Sequence, residues 1–431
     1  MVVLLLILAV TFVAGIDSAK VNSSYQNKKR YIMIVFGMMI FFAVFRGYNV
    51  GIDYANRVHH MELLFARDFP TMIALTHEIM EWQYLYTVPM WLMSHIIPNP
   101  WFYNCLMDIF ILSTFGWFFY RYSRDVTMAS MMFVVFVYAA ELNITRQYIA
   151  AALFLIALHQ LLHKKHWRAF ITLLAASFIH SSAVMLFAVY VMYYAGFHLT
   201  RGRLALYLSG AVVLYLLFDI VIKVFLAVFP QYSYALRDKF VGNSGFSIKW
   251  LLIYLTLYMG LWIVTPRFRN LSKYSNRKML RVNITGIVGL SFIIYAVLAM
   301  LRAKMWFVQR MMVYFIFGFC MIIPEIIRLM VVRFGGHTLQ DVLVSDIVWY
   351  YRRLAQVSAL KPVANKLGKL AVRVKKSTAV ARCSDFVTKV VSHPRFLPGA
   401  EVFMKVCLLI WGCIQFALDP HGLLPFKFIW Q

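Results

Sequence analysis

What most limits the folding of this chain is the recurrence, from Val2 to Leu418, of apolar runs fit to cross a bilayer, separated by segments rich in Lys and Arg. A crossing takes about 20 apolar residues, with a working range of about 17 to 25. In hydrocarbon every backbone amide needs an internal partner, which helices supply within one segment. The fold class implied is all-α, a polytopic integral membrane protein. Charged side chains make up 14% of the 431 residues, against a usual quarter or so. The 25 Tyr and 11 Trp suit rings seated at headgroup level along many helix ends. A formal net charge of +26 would suggest nucleic acid in a soluble protein. In a polytopic chain cations collect in cytoplasmic loops and set topology, so no nucleic-acid partner is expected. Cys105, Cys320, Cys383, Cys407 and Cys413 are odd in number and lack CxxC spacing, which indicates neither a disulfide framework nor a zinc site.

Applying the length ruler with the charge rule gives about twelve spans with both termini outside. No Lys or Arg precedes Val2 to about Gly15, so it reads as a retained first helix rather than a signal peptide. Lys20 to Arg30 is then a basic cytoplasmic loop, and Tyr31 to Phe45 leads out to Arg46. Residues 46 to 101 form a long outer loop, too polar to cross until Leu85 to Ile97. That stretch is short and holds Pro89 and His95, and a crossing there would invert every later loop, so it reads as an interfacial or re-entrant helix. Trp101 to Phe119 and Met128 to Ala140 lead to the outward stretch Asn143-Ile144-Thr145-Arg146-Gln147. Tyr148 to Leu162, then the hairpin Ala169 to Ile179 and Ala183 to Gly196, place His180 at an outer tip. Leu204 to Phe229, Trp250 to Val264, Val282 to Leu301 and Met311 to Met330 follow. The segment 331–401 is basic and cytoplasmic, with Leu370 to Lys376 patterned like a helix lying on anionic lipid. Val402 to Leu418 is the last crossing, and Asp419 to Gln431 ends outside.

With the chain so threaded, Arg46, Asp53, Glu81, Arg146, His180, Arg237, Arg302 and Arg310 all fall outside, near helix ends. An ionisable residue at a membrane helix end is costly unless it snorkels, pairs or meets a ligand. The partner expected for Arg146 is an anion, favoured also by the positive end of the helix it opens.

Neighbouring residues sharpen the pattern. Arg46 is followed by Gly47 and by Val50-Gly51-Ile52-Asp53-Tyr54; Glu81 by Tyr84; Arg146 by Gln147 and Ala150; His180 by Ser181 and Ser182; Arg310 by Tyr314. In this order and rough spacing these elements resemble the EpsG family, bacterial polysaccharide polymerases related to Wzy. The resemblance covers about residues 1 to 330 and resumes at His421 to Trp430. Ile52 before the Asp, Trp82-Gln83 between Glu81 and Tyr84, and the long basic insertion depart from the family's pattern.

The resemblance implies a membrane glycosyltransferase of GT-C-like architecture. Residues 1–330 would be the transmembrane catalytic core, 331–401 a basic cytoplasmic insertion, and 402–431 the last helix with an external C-terminus. It implies a polymerase of lipid-linked oligosaccharide repeat units for O-antigen, capsule or exopolysaccharide, facing outward from the bacterial cytoplasmic membrane. Its partners would be polyprenyl-pyrophosphate-linked oligosaccharides, the bilayer and a separate chain-length regulator. Arginine's planar fork suits the departing pyrophosphate, with Arg146 and Arg310 first and Arg46 and Arg302 behind them. The chain shows no DxD and no metal-spaced His/Glu cluster, so a metal-independent site without cofactors is expected. His180, Asp53 and Glu81 are the candidates for general base, and Asp53 or Glu81 could instead hold Arg46 or Arg146 in place. Asn143, Gln147, Tyr232 and Tyr234 would bind sugar. The rival functions are a flippase of lipid-linked oligosaccharide, an O-antigen ligase, and a membrane acyltransferase with a catalytic His180.

Overall fold

The computed structural model describes residues 2–228 apart from 48, 49, 66, 81 and 195, then 248–265, 276–302, 304, 305, 308–334, 361–378 and 396–418, with a few further positions between 344 and 389. Among these residues the secondary structure is helical. The chain divides into two compact units, Met1–Glu325 with Met404–Gln431, and Ile326–Phe403.

In the larger unit α1 (Val2–Ala14), α2 (Ser18–Asn22) and α3 (Tyr25–Val44) open the chain. The expected basic loop Lys20 to Arg30 is therefore helical. Ser24 caps α3 by accepting from the Asn27 N–H at 3.1 Å, which lets Lys28, Lys29 and Arg30 occupy its first turns. The expected outer loop also holds more order than its polarity suggested. It contains α4 (Ile52–Leu64), α5 (Phe69–Met80) and α6 (Tyr84–Ser94), the last covering most of the short stretch expected to be a helix that does not cross. In α4 the apolar positions Tyr54, Val58, Met61 and Leu64 recur at helical spacing and are all buried. Gly51 starts the helix at φ 109°, a region that side-chain-bearing residues rarely adopt.

α7 (Pro100–Tyr122) and α8 (Val126–Asn143) pass the length and hydropathy test for a membrane span. Within α8 the turn Val134–Tyr138 is π-helical, and this widening re-aims the final turn Ala139–Asn143. A break at Ile144 starts α9 (Thr145–Leu162), followed by α10 (His166–Ile179), a 3-10 turn over Ser181–Leu186, and α11 (Phe187–Tyr194). The expected single crossing Leu204 to Phe229 is two helices, α12 (Arg201–Leu216) and α13 (Phe218–Val228), bent by 71° at Leu217. Asp219, just past the bend, pairs with Lys304 at 3.1 Å. Arg201 lies buried against the end of α14 (Ile248–Val264) and donates to the carbonyls of Trp262, Ile263 and Thr265, which the helix itself leaves open.

α15 (Asn276–Leu301) starts before the expected Val282. α16 begins as Val308–Met312, tightens through Val313–Phe315 and continues over Ile316–Phe334. A Cβ on Gly318 would sit 2.5 Å from Ser291 Cβ and 2.7 Å from the Phe292 nitrogen, a close approach of α15 and α16 of the kind that membrane helices make through small residues. The smaller unit contains α17 (Lys361–Lys376), whose buried positions are Ala364 and Ala371. α18 (Phe396–Leu418) begins in the smaller unit and ends in the larger.

Each of the twelve runs expected to cross is helical over most of its described residues. Among the described residues five helices are long and apolar enough to span a bilayer, or up to six if the bent pair α12–α13 counts as one. Exposed Leu, Ile and Val along α12, α13, α14 and α18 form apolar faces of the kind that lipid covers. The chain is a polytopic membrane protein whose described elements are all helices.

Candidate active site

The candidate residues gather where α8 ends and α9 begins. Ile144 breaks the helix, and no side chain caps the start of α9. Arg146 and Gln147 fall in its first turn, where the unpaired N–H groups and the helix dipole favour an anion.

Arg146 reaches toward the outer-loop helices. Its Nη1 donates to Gln83 Oε1 at 3.4 Å, and its guanidinium lies 5.6 Å from the centroid of the Tyr86 ring. His180 ends α10 with an extended backbone (φ −150°, ψ 120°), and the charges acting on its ring are those of Arg146 and Arg310. The ring is buried, and neither nitrogen has a hydrogen-bond partner. Two residues on, the Ser182 and Tyr314 hydroxyls meet at 2.7 Å, which ties the hairpin tip to the helix that carries Arg310. Arg146, His180 and Arg310 therefore share one neighbourhood, although 164 positions separate the first from the last.

Asn143 and Asp53 meet differently from the expectation. The Asn143 side chain accepts from the Asp53 backbone N–H at 2.7 Å, while the Asp53 side chain is exposed and its charge acts on Arg146. The Asn143 carbonyl accepts from Arg57 Nη1 at 3.3 Å. Gln147 is buried, and its Oε1 is without a partner.

Arg46 is wholly enclosed, and its charge is already matched. It pairs with Asp108 of α7 at 2.5 Å and donates to the carbonyls of Ala43 and Leu142. Its guanidinium lies 4.4 Å from the centroid of the Tyr54 ring, and Arg57 lies 4.7 Å from the same ring. Arg302 is exposed; its charge acts on Tyr254, and no contact among the described residues joins it to the other three arginines. Glu81, Tyr232 and Tyr234 lie outside the described residues, as does Arg237.

Five residues that the sequence reading passed over belong to this neighbourhood. Arg57 is buried with Nε and Nη2 unpartnered, and Tyr86 is buried with its hydroxyl unpartnered. Gln83 holds Arg146, Asp108 holds Arg46, and Glu141 is buried beside Arg46, Arg57 and Asp108 with neither carboxyl oxygen bonded. Asp108 had a signal, because an acid within an apolar span is a functional-site hypothesis by default. Among the described residues no three His, Cys, Asp or Glu gather as a metal-binding group.

Compared with known families, the chain matches EpsG over residues 29–336. It belongs to the EpsG family. The match runs from the first turns of α3 past the end of α16, so every described candidate residue lies within the EpsG region. EpsG membership points to polysaccharide polymerisation by a glycosyltransferase-like membrane enzyme. No curated protein and no solved structure matches the chain.

Proposed function

We propose that this EpsG protein polymerises lipid-linked oligosaccharide repeat units on the outer face of the bacterial cytoplasmic membrane, through about twelve crossings in a GT-C-like arrangement. The observation that carries this reading is the meeting of Arg146, Arg310 and His180 at an uncapped helix start, among buried polar atoms left without partners. Burying such atoms unpaired costs free energy, and a bound ligand that supplies their partners explains why they persist.

In the proposed reaction the bond between the anomeric carbon of the growing chain and the polyprenyl pyrophosphate breaks. Its electron pair leaves with the pyrophosphate. A hydroxyl of the acceptor unit bonds to the same carbon and loses its proton to a base. Arg146, Arg310 and Arg57 face the developing pyrophosphate charge, a task for preorganised cations. Arg57 takes the place expected for Arg46, because Arg46 is committed to Asp108 and has no exposed surface. Arg46 thus positions Tyr54 and the end of α8. His180 is the proposed base, since no protein group occupies its ring nitrogens and the unprotonated one of the neutral imidazole can accept a hydroxyl proton. Asp53 and Glu81 remain alternatives for that role. Asn143 and Gln147 present amides to sugar. No step calls on a metal.

The glycan phenotype of a deletion strain tests this reading. The polymerase reading predicts accumulation of single lipid-linked repeat units on the outer face. Polymer left on the carrier lipid would indicate a ligase instead, and units trapped inside would indicate a flippase.

A further inference from the structure

A cavity of about 240 Å³ opens between α12, α14 and α15, away from the arginine cluster. Every residue lining it is Ala, Val, Leu, Ile, Met, Phe or Tyr, with Val212 and Tyr215 on α12, Tyr254 on α14, and Ala296, Met300 and Leu301 on α15. Along α15 the lining runs from Phe292 to Leu301, about 14 Å at 1.5 Å per residue. The volume equals that of about eight waters, room for a segment of one slender branched chain.

In a bilayer an apolar groove gains nothing from hydrophobicity alone, because the surrounding lipid tails are just as apolar. Selective occupancy must come from shape and from the headgroup. The cations stand at one end. Leu301 is the last residue of α15 and lines the groove, and Arg302 and Lys304 follow it. Lys304 Nζ lies 5.0 Å from the centroid of Tyr215 and 5.9 Å from that of Phe218, so it sits over the groove wall. The charge of Arg302 acts on Tyr254, another wall residue. Six positions beyond Lys304 comes Arg310, on a helix packed against α15.

We infer that this groove holds the first isoprene units of the polyprenyl carrier, with Arg302 and Lys304 receiving its phosphate end before the cluster around Arg310 does. The inference rests on the polymerase reading for its ligand, and it gives Arg302 a role distinct from that of Arg146. A single methyl-branched chain with an anionic head suits one narrow apolar slot with two cations at its end, Arg302 and a Lys304 that the exposed Asp219 carboxylate now holds at 3.1 Å and that the phosphate would take over. A two-chain zwitterionic phospholipid has neither the single tail nor the net charge.

The test uses the full-length protein in phosphatidylcholine nanodiscs with a polyprenyl phosphate bearing a diazirine in its first isoprene units. Photolabelling followed by peptide mapping should mark the α12 stretch 208–216 and the α15 stretch 292–301. Excess polyprenyl pyrophosphate should compete, and excess phosphatidylglycerol should not. Ala296→Trp, which fills the slot, should remove the label. Lys304→Gln, which also releases the solvent-exposed Asp219 pair worth little to stability, should weaken labelling about fivefold while leaving the fold intact. Equal competition by phosphatidylglycerol, or label spread evenly over all lipid-facing helices, would overturn the inference by marking ordinary surrounding lipid. Because labelling needs no turnover, it decides the groove separately from the polymerase reading. A groove that labels as expected in a protein that polymerises nothing would leave the inference standing and sink the reading, and polymerisation without groove labelling would do the reverse.

Discussion

α8 carries a polar cluster at each end, about 27 Å apart by its length, and the far cluster leaves more of its buried polar groups unpartnered than the near one. At the start of α8, Lys405 of α18 is enclosed and donates to the Gly15 carbonyl and the Ser18 hydroxyl. Ser18 meets Thr127 at 2.9 Å, and Asn22 donates to Asp125 at 2.8 Å. Nearby, Arg124 pairs with Glu325 at 2.5 Å, and Thr285 donates to the same carboxylate. These bonds join α1, α2, α8, α15, α16 and α18. At the far end, Arg57, Tyr86, Gln147 and His180 are buried with polar atoms unpartnered. One end uses its polar groups to fasten helices. The other keeps them available.

Arg46 belongs to the second end by position and to the first by behaviour, and it offers the sharpest way to break the comparison. Asp108→Ala would leave Arg46 buried without its counter-charge, at a cost of about 3–5 kcal/mol. The expected result is loss of folded protein, read by yield and by detergent thermal stability, and replacing Arg46 and Asp108 together with apolar residues should restore part of it. Stability unchanged in Asp108→Ala would remove Arg46 from the fastening group.

Arg146→Ala is expected to do the converse. It should lower turnover by about 10²- to 10³-fold, as for loss of one preorganised donor, with protein level and melting temperature near wild type. Arg146→Lys should recover little, since the planar fork is lost. Arg57→Ala should resemble Arg146→Ala rather than Asp108→Ala. Lys405→Met should lower stability by about 1–3 kcal/mol by leaving its two acceptors unpaired, with activity per folded molecule unchanged. The smallest effect is expected from Ser182→Ala, which removes one bond to Tyr314 worth about 1 kcal/mol. It should reduce turnover slightly without altering assembly, measured as initial rate against folded protein.

The helices were legible in the sequence because each apolar run is a local property, and five of them, or six with the bent pair, are long and apolar enough among the described residues to span a bilayer. So was the company of Arg146, His180 and Arg310, because topology alone assigns all three to one side. The division of labour among the arginines was not legible. Arg46 and its counter-ion Asp108 are 62 positions apart, and nothing local to Arg46 distinguishes a fastened cation from an open one. The polarity of residues 52–80 masks their helical period. The spacing of Tyr54, Val58, Met61 and Leu64 carries a helical stripe that also places Arg57 against Asn143. Gln83, one of the departures from the family's pattern, touches Arg146, a contact that no local pattern announces.

The central claim is that the open end of α8 and α9 is a pyrophosphate-binding catalytic site. Its most direct test is polymerisation of purified lipid-linked repeat units by the purified protein, with a chelator present, comparing wild type and Arg146→Ala at equal amounts of folded protein. The account predicts a ladder of polymer from the wild type and none from the variant. A full ladder from Arg146→Ala would contradict it.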